Sequence, residues 1–230
     1  MSNRDSAHKI CVVIPCYNVA YVLADILAQL KLESVDVVVI DDGSTDATSD
    51  IALKYKVKVI KNNRNLGKGA SLRKGFAYAL SQGYEAIIAM DGDGQHLPSD
   101  ISNFLKMESV RPDADMIVGN RMRHPAGMPL VRRLTNIFMS GLISWICGQG
   151  IPDSQNGFRL IRSRLLGKLE LNSNKFEIET EIILKTAAGG AKIISIPITS
   201  VYKNHPSGIS PLLDTFRFIR FILPYISFCR

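Results

Sequence analysis

Several things are scarce in this chain of 230 residues, and each scarcity closes off a class of protein. Its four cysteines, Cys11, Cys16, Cys147 and Cys229, are scattered and form no Cys-x-x-Cys pair. That spacing excludes a zinc cluster and a disulfide framework, and it reads as reduced thiols in a cytosolic setting. Met1 to Lys9 is a polar tail without a signal-peptide core. No apolar run is long enough to span a bilayer. There is no internal repeat and no low-complexity tract. Charged residues make up 21% against 46% hydrophobic, which excludes a disordered or fibrous chain.

What is present points to one large domain with a real core. The formal charge of +7 favours an anionic partner: phosphate, an acidic lipid surface or nucleic acid. Nucleic acid drops out, because the arginines lie in motifs or beside apolar runs and form no basic stripe interleaved with aromatics. Two stretches, Leu134 to Cys147 and Phe216 to Phe228, come nearest to membrane character. Both can be read as buried helices. The second sets Arg217, Arg220 and Arg230 among Phe216, Phe218, Phe221, Ile222 and Phe228, the pattern of a helix lying on a membrane surface.

The first half alternates strand and helix signals. Strands are predicted at Ile10 to Ile14, Val35 to Ile40, Val57 to Ile60, Ala86 to Met90 and Met116 to Val118. Helices are predicted at Val19 to Leu32, from Ser44 or Thr45 as cap to about Tyr55, and at Gly67 to Leu80. The run at Val35 to Ile40, broken only by Asp36, reads as a strand buried on both faces. The second half predicts a helix at Pro129 to Cys147, a strand at Gly157 to Ile161, a helix at Glu177 to Ala188 and a strand at Lys192 to Ile198. This rhythm implies an α/β fold, a mostly parallel sheet flanked by helices, with ligands at the carboxyl ends of the strands. Tyr17, Asp42 and Asp91 stand there.

The strongest chemical signal is Asp91-Gly92-Asp93-Gly94-Gln95-His96. Two carboxylates one residue apart repel unless a cation is near. A hard divalent ion suits carboxylate and amide oxygens and would bridge to a diphosphate leaving group. The plainer alternative is a capped turn. Asp41-Asp42-Gly43-Ser44-Thr45-Asp46 follows the second strand, where a carboxylate can accept hydrogen bonds from a ribose or base edge. Asn65-Leu66-Gly67-Lys68-Gly69 could hold phosphate at a helix start, although it lacks the P-loop spacing.

Together with Pro15-Cys16-Tyr17-Asn18, these motifs carry a resemblance. From Val12 to about Arg220 the chain resembles the family 2 glycosyltransferases, and within them the dolichol-phosphate mannose synthase and polyprenyl-phosphate glycosyltransferase group. Gly119-Asn120-Arg121, Asp153 to Arg159, Phe176 to Glu181, and Ser195 to Ile198 followed by Tyr202 add to it. The resemblance implies a GT-A fold over residues 10–210 and a C-terminal amphipathic helix over 211–230. It implies that Pro15, Tyr17, Ile40 and Asp42 line the nucleoside site, with Lys68 and Gly92 also at the nucleotide sugar. Asp91 and Asp93 would handle Mg²⁺ or Mn²⁺ and the diphosphate, with Gln95 as a further ligand. Arg121 and Arg133 would hold the acceptor phosphate, Arg132 exchanging roles with Arg133, and Lys203 would stand in for a basic residue of the late Ser-Lys segment. The second departure is Val19, where the family has Glu.

The expected reaction is inverting transfer of a hexose from GDP-mannose or a UDP-sugar to a polyprenyl or dolichyl phosphate. Asp153 is the base candidate if one is needed; its other reading is a residue holding the Gly157-Phe158-Arg159 loop. The alternatives are a family 2 enzyme with a non-prenyl acceptor, and a non-catalytic nucleotide-sugar-binding relative. The expected setting is peripheral, on the cytoplasmic face of a membrane, with the oligomeric state left open.

Overall fold

The computed structural model describes residues 9–202 and 211–226. A seven-stranded sheet runs through its centre in the order β3-β2-β1-β4-β6-β5-β7. The strands are β1 (Ile10–Cys16), β2 (Asp36–Asp41), β3 (Lys58–Lys61), β4 (Ala86–Ala89), β5 (Met116–Asn120), β6 (Arg159–Arg162) and β7 (Ile193–Pro197). β1, β2, β3 and β4 are parallel, and β5 is parallel to β7. β6 alone runs antiparallel, between β4 and β5. The helices are α1 (Ala20–Leu30), α2 (Thr48–Lys54), α3 (Lys68–Ser81), α4 (Ile101–Val110), α5 (Leu130–Cys147), α6 (Ser163–Leu166), α7 (Glu177–Ala188) and α8 (Pro211–Ile226).

The uninterrupted apolar runs have the expected cause. Successive side chains on a strand point to opposite faces, and here both faces are covered. Cys11 and Val13 join Val38, Ile40, Ile87 and Met116 in one apolar layer, beneath α3, α5, α7 and α8. Val12 and Ile14 join Val39, Ile88 and Ile117 in the other, beneath α1 and α4. Each such side chain contributes roughly 1.5–3 kcal/mol by leaving water.

Every strand and helix predicted above is present, within a few residues of its expected bounds. α4 was not anticipated. Only Ile101, Phe104 and Glu108 of α4 are buried, and Glu108 breaks the apolar period because it is paired 2.5 Å from Arg162 of β6. The expected capping of α2 by Ser44 or Thr45 is corrected: the helix begins at Thr48 without a side-chain cap at Ala47. Asp46 serves the neighbourhood instead, accepting from the Thr48 and Ala20 amides at 3.0 Å each. Val19, at the position where the resemblance has Glu, is buried in the α1 side of the core.

α8 packs on α5 and α7. Phe218 and Ile222 are buried in the core, whereas Ile219, Arg220 and Leu223 are exposed. Two apolar residues assigned to a membrane face therefore fill the domain. Among the described residues no helix is long and apolar enough to cross a membrane. Lys203, Phe228, Cys229 and Arg230 lie outside the described residues, as do the side chains of Phe216 and Arg217.

Candidate active site

The carboxyl ends of β1, β2 and β4 open side by side. The Asp42 amide donates to the Cys16 carbonyl at 2.8 Å, and the Met90 amide to the Val13 carbonyl at 3.1 Å. Tyr17, Asp42 and the loop Asp91 to His96 thus meet at one edge, as expected of a parallel sheet. Tyr17 is exposed and Pro15 half-buried, so both can line a ligand. Ile40 cannot: its side chain is fully buried in the core facing Gly75 of α3, which corrects its expected place at the nucleoside.

Asp42 is also turned to a different task. Its Oδ1 accepts from Asn62 Nδ2 at 2.7 Å and the Leu66 amide at 2.9 Å, and its Oδ2 from the Gly67 amide at 2.8 Å. The carboxylate is buried and ties down the loop ahead of α3, where Gly67 sits at φ 96°. The same bonds occupy the Leu66 and Gly67 amides, so this loop does not present them to a phosphate.

Lys68, the first residue of α3, reaches across the site. Its ammonium lies 2.5 Å from Asp91 Oδ1 and 2.5 Å from Glu179 Oε1 on α7. Burial opposes this charge, but the two carboxylates prevail and push the lysine pKa up. Burial alone would raise the Asp91 carboxyl; the Lys68 ammonium beside it instead holds it down at about 2. Glycine leaves room for the pair: a Cβ on Gly157 would stand 2.8 Å from both Asp91 oxygens and 3.0 Å from Lys68 Nζ, and would push them aside. His96 completes the loop from below. Its Nδ1 accepts from the Asp91 amide at 3.1 Å, its ring stacks on Phe158, and burial lowers its pKa despite Asp91 and Asp93. Because Nδ1 accepts, the ring carries its proton on Nε2.

Asp93 is exposed, its Oδ1 accepting from the Gln95 amide at 2.9 Å. Gly92 before it is buried against Cys16, whose sulfur would lie 2.9 Å from a Cβ there. Among the described residues no three His, Cys, Asp or Glu side chains converge into a metal cage. The loop offers two carboxylates and the Gln95 amide. That oxygen set fits a hard dication that draws its remaining ligands from a substrate phosphate and water.

Opposite the loop stand two arginines in different circumstances. Arg121, at the end of β5, is buried with its Nε and Nη2 both 2.8 Å from Asp153 oxygens. Asp153 also accepts from the Arg121 amide at 3.0 Å and from Asn136 Nδ2 at 2.7 Å. Burial would raise the Asp153 pKa, but these bonds lower it. Four donors, from Arg121 and Asn136, saturate the two buried oxygens of Asp153, so the carboxylate ties the end of β5 to α5 and makes no hydrogen bond to the Gly157-Phe158-Arg159 loop. Two of the Arg121 nitrogens are likewise committed to that carboxylate. Arg132 of α5 is half-buried, its Nη2 3.3 Å from Gln95 Oε1 and its guanidinium 5.4 Å from the centre of the Tyr202 ring. Arg133 is exposed. The order left open by the sequence is resolved: Arg132 faces the loop.

The sequence passed over three groups. Glu179 lies in a quoted segment but carried no assigned role; only its spacing on α7 could have marked it as inward-facing. Arg159 is fully buried and donates to the carbonyls of Asn156, Ser154 and Glu179 at 2.7, 2.9 and 2.5 Å, joining the 153–158 loop to α7. Glu181 accepts from the Asn172 and Ser173 amides at 2.9 and 2.8 Å, fixing the segment that covers Gly67 and Gly69.

The chain matches the family described as Glycosyl transferase family 2 over residues 11–170. It is 33% identical over 209 residues to an uncharacterized protein of Methanocaldococcus jannaschii, covering 88% of this chain and 86% of that one. It is 30% identical over 207 residues to the undecaprenyl-phosphate mannosyltransferase of Micrococcus luteus, covering 84% of each. The fold is similar to that of glucosyl-3-phosphoglycerate synthase from Mycobacterium tuberculosis, solved with Mn²⁺, UDP-glucose and phosphoglyceric acid. The TM-score is 0.76 at 18% identity, over 96% of this chain and 80% of that one.

Proposed function

The chain belongs to glycosyl transferase family 2 and has a GT-A fold, and from that premise we propose that it moves a hexose from a nucleotide diphosphate sugar to a polyprenyl phosphate, with inversion at the anomeric carbon. The observation that carries this reading is the position of Arg132, 3.3 Å from Gln95 across from Asp91 and Asp93. A loop of oxygen donors suits a diphosphate held through a dication, and a guanidinium beside it suits a second phosphate. The named acceptor of the M. luteus relative supports the acceptor class. The Mn²⁺ and UDP-glucose bound to the M. tuberculosis enzyme support the donor class and the cation.

Asp91, Asp93 and Gln95 would hold Mg²⁺ or Mn²⁺, and the cation would supply positive charge to the departing diphosphate. Pro15 and Tyr17 form the nucleoside wall. Lys68 keeps Asp91 ionised and in place. Arg132, with Nη1 of Arg121, which has no hydrogen-bond partner among the described residues, orients the acceptor phosphate in line with the anomeric carbon. A phosphate monoester has a second pKa of about 6 and is already largely anionic at neutral pH. It attacks without a protein base, which fits the saturation of Asp153. Positioning and electrostatics supply the rate. The acceptor's tail stays in the bilayer, so the enzyme works as a peripheral protein on the cytoplasmic face.

The test is a donor panel of GDP-mannose, UDP-glucose and UDP-N-acetylglucosamine with a short-chain polyprenyl phosphate and Mn²⁺ or Mg²⁺. Lipid-linked hexose from one donor, lost on chelation, is the expected result. Glycosylation of a non-prenyl acceptor, with no lipid-linked product from any donor, would overturn the acceptor assignment. Metal-dependent donor hydrolysis alone would do the same.

A further inference from the structure

Among the described residues, three buried side-chain groups lack a hydrogen-bond partner: Arg73 Nε, Ser200 Oγ and the Tyr202 hydroxyl. Arg73 spends its other nitrogens on the Leu171 carbonyl and Asn174. Ser200 belongs to a backbone bridge with His96. Tyr202 is the one whose ring stands against an arginine of the site, Arg132, and its hydroxyl is its only polar side-chain group. Burying a hydroxyl without a partner costs free energy, and a buried tyrosine usually finds one. Such a group persists where a ligand supplies the missing bond.

The surroundings of Tyr202 define that ligand. The Val201 amide donates to the Gln95 carbonyl at 3.0 Å, so Tyr202 follows directly on the residue that holds the Asp91–His96 loop. The Arg132 guanidinium lies 5.4 Å from the centre of the Tyr202 ring. The Gly127 backbone closes on the ring's edge, where a Cβ would stand 3.7 Å from Tyr202 Cδ2. The protein itself therefore holds the ring on two sides. Tyr202 is also within electrostatic range of Arg121. Two guanidiniums and a phenol thus gather beside the loop, and all three can donate. A single group that accepts from several donors and answers the arginine charge is an oxyanion. A phosphate monoester offers three such oxygens.

We infer that the Tyr202 hydroxyl donates to the phosphate monoester of the acceptor, beside Arg121 and Arg132. This rests on the proposed function and adds a residue to it. The guanidiniums bring charge, whereas the phenol brings direction without charge. A lipid headgroup and a soluble phosphate monoester share this chemistry, and the proposed function commits to the first.

Tyr202→Phe removes the hydroxyl and keeps the ring against Arg132, so one variant isolates the bond. Calorimetry on the full chain measures binding of three probes: a short water-soluble prenyl phosphate, the matching prenyl alcohol, and glycerol 3-phosphate. Tyr202→Phe should weaken prenyl phosphate about tenfold or more and leave the alcohol unchanged. In phosphate-free buffer the variant should melt at or above the wild-type temperature, because an unpartnered hydroxyl has gone. In turnover the loss should fall on the acceptor KM, with the donor KM unmoved. Equal phosphate binding by wild type and variant overturns the inference, as does failure of the wild type to bind either monoester. A melt several degrees below wild type also overturns it, since the hydroxyl would then be bonded within the fold. Wild-type binding of glycerol 3-phosphate but not of prenyl phosphate, weakened tenfold in Tyr202→Phe, keeps the phosphate contact and removes the lipid acceptor of the proposed function.

Discussion

The Lys68 ammonium lies 2.5 Å from Asp91 Oδ1, tying the first carboxylate of the Asp91–His96 loop to the start of α3. The Asp91 pKa falls from 3.8 to about 2 in the fold. A depressed carboxyl pKa stabilises the folded state fully above the unfolded value, and that stability is lost as pH falls through the folded one. The shift corresponds to about 2 kcal/mol. Urea unfolding followed from about pH 5 to about pH 2 should therefore show that much more loss in wild type than in Asp91→Asn. Parallel pH slopes for the two proteins would contradict the pairing.

Asp93 differs from its neighbour because it is exposed and, among the described residues, forms no ion pair. Asp93→Ala should abolish transfer, by about 100-fold or more, with unfolding free energy changed by under about 1 kcal/mol. Turnover and a melt on the same sample settle it; near-wild-type turnover in a folded variant removes the metal role.

The two α5 arginines should separate cleanly. Arg132→Lys keeps the charge but not the planar fork, and should lower transfer about tenfold or more, chiefly through the acceptor KM. Arg133→Lys should stay within about twofold, because its side chain points to solvent. Equal effects from both would mean that the rotational setting of α5 does not decide the acceptor contact.

Asp153→Asn tests structure against chemistry. It removes a buried charge from a bidentate pair and leaves Arg121 without compensation, a loss of roughly 3–5 kcal/mol. The pH dependence of kcat should keep its wild-type shape in whatever fraction folds. Loss of the alkaline or acid limb in that profile would reinstate Asp153 as a base.

The layering of the domain was legible because it depends on local pattern. Val37 to Ile40 is a β-branched run of the kind found in a strand covered on both sides, and Gly67 to Leu80 has helical periodicity. α4 escaped because an inward Glu108 looks polar in sequence, and its partner Arg162 is 54 residues away. The Asp91–His96 loop was readable too, since a strand end followed by Asp-Gly-Asp-Gly leaves few conformations and few purposes.

Sequence by itself determined the fold class, the alternation of elements and the edge of the sheet where the carboxylates gather, because side-chain periods of 2 and 3.6 and turn residues act over a few positions. Which of those groups remains free to meet a ligand was decided by tertiary structure. Asp42 is taken by the 62–67 loop, Asp153 by an arginine 32 residues distant, and Lys68 by a glutamate on α7. Ile40 is lost to the core. Arg132 and Arg133 are adjacent and chemically alike, and only the side on which α5 packs turns one to the site and the other to solvent. A hydrogen-bonding group's availability depends on partners brought from far along the chain, and no local pattern records them.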